Sequence, residues 1–100
     1  MPFQQVYPRS FTANSIREHA PALSGVYGIS NARQWILIGE SDNIRETLVS
    51  HLTEPGTPLL GLMPKGFVYE VCDPMSRRAR QDRLVLEYHP VCNSPGTRGR

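Results

Sequence analysis

The sequence predicts a small α/β domain of the α+β kind, a three-stranded antiparallel sheet flanked by helices. Three observations carry that prediction. Three short runs rich in β-branched and aromatic residues, at 26–29, 35–38 and 67–72, are each bounded by turn-forming residues. Between the second and third, Ile44, Leu48 and Leu52 recur every four residues with Val49 beside them, which marks one apolar face of a helix. After the third run, Asp73-Pro74 opens a helix and Pro90 stops it. A sheet of this size needs helices packed on it to bury its apolar face.

In chain order, the stretch to about Ser10 is polar, contains Pro2 and Pro8, and reads as an extended arm. Residues 13–20 can form a short helix, with Asn14 or Ser15 near its start and Pro21 after its end. Gly25 leads into Val26-Tyr27-Gly28-Ile29, and the polar connector Ser30-Asn31-Ala32-Arg33 returns the chain through Trp35-Ile36-Leu37-Ile38 to Gly39. Two strands joined so briefly make an antiparallel hairpin. Ser41-Asp42-Asn43 supplies capping chemistry for a helix over 44–52, with Arg45 and Glu46 turned to water. Residues 53–66, with three prolines and three glycines, form a loop whose Leu59-Leu60 and Leu62-Met63 pairs anchor to the core. The third strand follows, then a helix with Asp73 at its cap and Pro74 in its first turn, running to about His89. The organisation is an arm with a short helix over 1–22, a folded domain over 23–93 and a flexible tail over 94–100.

The bulk properties fit that organisation. One hundred residues, 39% hydrophobic and 20% charged, make one globular domain and argue against disorder. A formal charge of +2 permits nucleic-acid binding without demanding it, so any cationic footprint must be local. Cys72 and Cys92 are too few for a zinc ligand set or a disulfide framework and read as free thiols. Nothing resembles a signal peptide or a bilayer span, which makes the cytoplasm the expected compartment.

Several short motifs then fall in order. Gly25-Val26-Tyr27 is followed by Leu37-Ile38-Gly39, by Asn43-Ile44-Arg45 opening a helix that closes on His51-Leu52, by Leu86-Glu87 on the last helix, and by Pro90 and Asn93. Together they resemble the GIY-YIG nuclease family over residues 23–93. The resemblance implies hydrolysis of a DNA phosphodiester assisted by one divalent cation, Mg²⁺ or Mn²⁺, with DNA as the partner. It places Tyr27 as the first-strand tyrosine that helps activate water, Glu87 as the metal carboxylate, Asn93 as a supporting hydrogen-bonding group, and His51 as the histidine some members carry on the first helix. A hard cation prefers carboxylate oxygen, and displacement at phosphorus needs charge stabilisation and positioning.

Each position also has a plainer reading. Tyr27 can pack as a strand aromatic. Glu87 lies four residues after Arg83, the spacing of an ordinary exposed ion pair. Asn93 suits a turn before Ser94-Pro95-Gly96. His51, late in its helix, suits the negative end of the helix dipole.

The departures from the family pattern bear on activity. Leu37 stands where the second tyrosine belongs, so that hydroxyl is missing. One turn before His51, Thr47 stands where the family's arginine belongs, and Arg45 is rotated about 200° from that position. Glu40 puts a carboxylate after the glycine, where it repels phosphate. Each lost charge-stabilising donor removes on the order of 3 kcal/mol, about a hundredfold in rate.

The favoured reading is therefore a DNA-binding domain with impaired or no cleavage. Its cationic residues would be Arg45, Arg77, Arg80 and Arg83, extended by Arg78, Arg98 and Arg100. The alternatives are an active metal-dependent DNA endonuclease with a rearranged site and a protein-interaction module that keeps only the fold.

Overall fold

The computed structural model describes Phe3, residues 7–53 and residues 62–93. Its elements are β1 (Arg9–Ser10), α1 (Ala13–His19), β2 (Gly25–Ser30), β3 (Trp35–Ser41), α2 (Ile44–Thr53), β4 (Gly66–Val71), α3 (Arg77–Tyr88) and a 3₁₀ turn (Val91–Asn93). The strands form one antiparallel sheet in the order β1-β4-β2-β3. The predicted α+β class stands, with four strands in place of three. The extra strand pairs Arg9 with Phe67 and Ser10 with Gly66 at the sheet edge. Two exposed residues beside a proline have no period to read, and their partner lies far along the chain.

Helices cover both faces of the sheet. On one face Tyr27, Ile29 and Phe67 pack with Phe11, Ile16 and Ala20 at α1 and with Ile44 and Leu48 of α2. On the other, Val26, Ile38 and Val68 pack against Leu84 of α3 and against Phe3. The N-terminal segment is thus built into both cores. Phe3 stacks on Trp35 and Tyr88 at 5.8 and 5.9 Å between ring centroids, and its amide donates to the Tyr88 hydroxyl at 3.2 Å. Leu62 is half-buried against the first core, whereas Met63, expected to anchor with it, is exposed. Leu59-Leu60 and residues 94–100 lie outside the described residues.

Local chemistry sets the helix ends. Thr12, one position before the helix, accepts the Ser15 amide and starts α1. Asn43 caps α2 by accepting the Glu46 amide at 3.0 Å, while the first two α2 amides donate to the carbonyls of Leu23 and Pro21. Asp73 accepts the amides of Met75 and Ser76 and the Ser76 hydroxyl. The dipeptide does initiate the chain reversal, but residues 74–76 form a turn and regular helix begins at Arg77. At the other end His89 adopts a left-handed conformation (φ 52°), donates to the Val85 carbonyl and hands over to Pro90. No described helix is long and apolar enough to cross a membrane.

Candidate functional site

Tyr27 sits in the central strand β2, flanked in register by Gly39 of β3 and Tyr69 of β4. Strand alternation turns all three to the face covered by α1 and α2. There the Tyr27 hydroxyl meets His51 of α2, with 2.8 Å between Oη and Nε2, and the two rings lie tilted at 5.6 Å. Gly39 makes room for this pair. A Cβ at that position would overlap the Tyr27 hydroxyl and come within 2.6 Å of Cζ. Burial, and secondarily the charge of Glu40, pushes the Tyr27 phenol well above the ordinary tyrosine range. A phenol held protonated in this way donates or accepts hydrogen bonds but does not become a phenolate base near neutral pH.

That shift has a measurable consequence. The folded state holds the Tyr27 proton more tightly than the unfolded state does. Its contribution to stability is therefore complete below the unfolded phenol's pKa of about 10 and is lost as pH rises towards the folded value. In an ultraviolet phenolate titration the Tyr27 step should come last, with unfolding setting in on the alkaline side. A Tyr27→Phe variant should lose the last step. Four tyrosines ionising together in folded protein would contradict the burial of this phenol.

The positions around the pair are chemically quiet. Leu37 lies two residues before Gly39, on the same strand face, and packs against this core. Thr47, one turn before His51, shares a hydrogen bond of 2.5 Å with Ser41, whose hydroxyl also accepts the Asn43 amide. Arg45 points elsewhere: its Nε donates to the Ala20 carbonyl at the end of α1 at 2.9 Å.

The other sheet face carries an ionic network that the helix spacing alone does not disclose. Val26 is flanked in register by Glu40 on one side and Glu70 on the other, both turned towards α3. Arg80 grips Glu70 through two hydrogen bonds, Nε to Oε2 at 2.7 Å and Nη2 to Oε1 at 2.9 Å. Arg77 lies 2.5 Å from Asp42 through Nη1, which also donates to the Ser24 hydroxyl. Its Nε is 2.5 Å from Glu40, an ionic contact at an angle unsuited to a hydrogen bond. Gln81 donates to the Ile38 carbonyl on the edge strand. Two of the four arginines expected to face nucleic acid are therefore engaged with carboxylates of this chain. Arg83 is exposed on α3. The signal for this network was available in the carboxylates at alternating strand positions, which need cations once a helix covers them.

Glu87 is exposed on α3, and its charge acts on Arg80. The carboxylate whose charge reaches Tyr27 is that of Glu40. Asn93 lies in the 3₁₀ turn that packs beside β3. Tyr27 and His51 are thus brought into contact, while Glu87 stands on the helix that covers the opposite face. Among the described residues no group of three or more His, Cys, Asp or Glu could hold a metal ion. Glu87, the carboxylate the resemblance assigns to a metal, is also near enough to Arg80 to act on its charge.

The antiparallel sheet with helices on both faces has the architecture of a GIY-YIG-like fold. Comparison with solved structures gives the same fold. The GIY-YIG N-terminal endonuclease domain of UvrC from Thermotoga maritima, bound to magnesium as its catalytic divalent cation, superposes with a TM-score of 0.67 at 24% identity, over 79% of this chain and 96% of that one. A tyrosine-to-phenylalanine mutant of that domain gives 0.67 at 24% identity over 79% and 94%. An asparagine-to-alanine mutant gives 0.67 at 22% identity over the same shares. Both are bound to the catalytic cation. No family model and no curated protein matches the chain. The chain has a GIY-YIG-like fold.

Proposed function

We propose that the chain is a DNA-binding domain built on a GIY-YIG nuclease scaffold, with phosphodiester cleavage impaired or absent. The observation that carries this reading is the environment of the Tyr27 hydroxyl. The hydroxyl is buried and its hydrogen bond goes to His51, a neighbour on α2. A group that assists attack at phosphorus has to reach the substrate, and this one is turned into the core. With Leu37 and Thr47 in the two donor positions implied by the resemblance, the expected loss is about a hundredfold for each missing donor, roughly ten thousandfold for both. DNA remains the favoured partner because the fold is that of a DNA-directed nuclease family and the chain is net cationic.

The test pairs binding with cleavage. Fluorescence anisotropy should detect binding of duplex, branched or single-stranded DNA at low salt, weakening as salt rises. The same DNAs should remain intact with Mg²⁺ or Mn²⁺. Metal-dependent cleavage abolished by both Tyr27→Phe and Glu87→Ala would establish the active alternative. Absence of binding at low salt to every DNA tested would overturn the reading.

A further inference from the structure

With Arg77 and Arg80 of α3 engaged within the chain, cations elsewhere on the surface are candidates to hold DNA. The end of the sheet that carries the β2–β3 turn has them. Three clefts open to solvent there, of about 220, 270 and 330 Å³, and Asn31 and Ala32 line all of them. Arg9 and Lys65 line the first, Arg33 the second, and Arg33 with Lys65 the third. Among the described residues no Asp or Glu lines any of the three. The three cations are exposed, and none pairs with a carboxylate among the described residues.

These side chains come from three separate segments that the backbone ties into one frame. The Asn31 side-chain oxygen accepts the amides of Arg33 and Gln34, both at 2.8 Å, and its amide nitrogen donates to the Leu62 carbonyl at 2.9 Å. The Lys65 amide donates to the Ser30 carbonyl and the Lys65 carbonyl accepts the Phe11 amide, both at 2.9 Å. Arg9 is held by β1 against Phe67. Gly66, where a Cβ would come within 2.8 Å of Pro8, lets the three segments close up. A fixed backbone carrying three cations and no acid is suited to successive phosphates of a strand, which need charge and spacing and no enclosed pocket.

We propose that this end of the sheet is the docking surface for the DNA phosphate backbone, with Arg9, Arg33 and Lys65 as its cationic contacts. The proposal rests on the reading of the chain as a DNA-binding domain and says where on the fold the DNA lies. Each phosphate contact contributes about 0.9 to the slope of log affinity against log salt on duplex DNA. The triple variant Arg9→Ala/Arg33→Ala/Lys65→Ala should bind duplex DNA at least about tenfold more weakly at low salt, with a slope shallower by about 2.7.

The altered side chains are exposed and the frame bonds are backbone or Asn31 bonds, so the melting curve should be unchanged. Lys65→Gln should move affinity in the same direction through a single change. Arg17→Ala, which removes an exposed charge from α1, should move it less than about twofold. Wild-type binding that the triple variant retains within about twofold would overturn this inference and leave the DNA-binding reading standing. So would wild-type binding that survives the triple variant but is lost in Arg78→Ala/Arg83→Ala, which would place the interface on α3. No binding by the wild type would remove both.

Discussion

Gly39→Ala is expected to lower the melting temperature by on the order of 10–20 °C and to break the Tyr27–His51 pair. Overpacking a well-filled core destabilises by about 1–3 kcal/mol, and loss of a hydrogen bond adds about 1 kcal/mol. For a domain of this size each kcal/mol corresponds to roughly 4–8 °C. The atoms in the way are the Tyr27 hydroxyl and ring carbons, not a flexible chain end. Tyr27 cannot swing aside, because it is wedged among Ile29, Phe67 and the two helices. A thermal melt followed by circular dichroism reads the loss, and the His51 ring signals in a proton–nitrogen spectrum report the broken contact. Adding Tyr27→Phe removes the atom nearest the new methyl. The double variant should therefore be less damaged than the sum of the two single changes. A wild-type melting temperature for Gly39→Ala would show that the strand can part from Tyr27 at little cost.

Phe67→Ala should be more damaging still. Phe67 is fully buried in the β4 strand, between β1 and β2, and is the largest side chain with no exposure. Truncating a buried phenylalanine typically removes about 3–5 kcal/mol from a total stability of roughly 5–15 kcal/mol. Equilibrium denaturation should show the midpoint falling steeply, and Leu86→Ala, at an exposed position on α3, should stay within about 0.5 kcal/mol of the parent. Because Phe67 also backs the Arg9 pairing, the Phe67 variant should weaken DNA binding before it unfolds fully. An intact β1–β4 pairing by hydrogen exchange in that variant would separate stability from binding.

The fold was legible because its signals are local. The β-branched and aromatic runs at 26–29, 35–38 and 67–72, the four-residue recurrence from Ile44 to Leu52, and the capping residues Asn43 and Asp73 each act within a few positions. What was not legible depends on distant partners. Ser10 becomes a strand residue only because Gly66 offers it an edge. Arg77 and Arg80 looked like part of a solvated helix face. The sheet register brings Glu40 and Glu70 to either side of Val26, and that register cannot be counted along a helix. The meeting of Tyr27 and His51, twenty-four positions apart, likewise follows from the layering of α2 on β2 and not from either motif alone. Arg9, Arg33 and Lys65 are isolated in sequence and form no cluster until the backbone joins them.

The network beneath α3 sets two guanidinium groups, Arg77 and Arg80, against three carboxylates, Glu40, Asp42 and Glu70. The network itself therefore carries one net negative charge, although the chain as a whole is positive. With the three cations of the turn at another place on the surface, the molecule has an electrical polarity. A long polyanion approaching by diffusion would feel a torque before contact and would be turned towards the turn end, which raises the fraction of productive encounters. On the DNA-binding reading proposed above, the internal ion pairs would bias which way round the domain meets the strand without touching it.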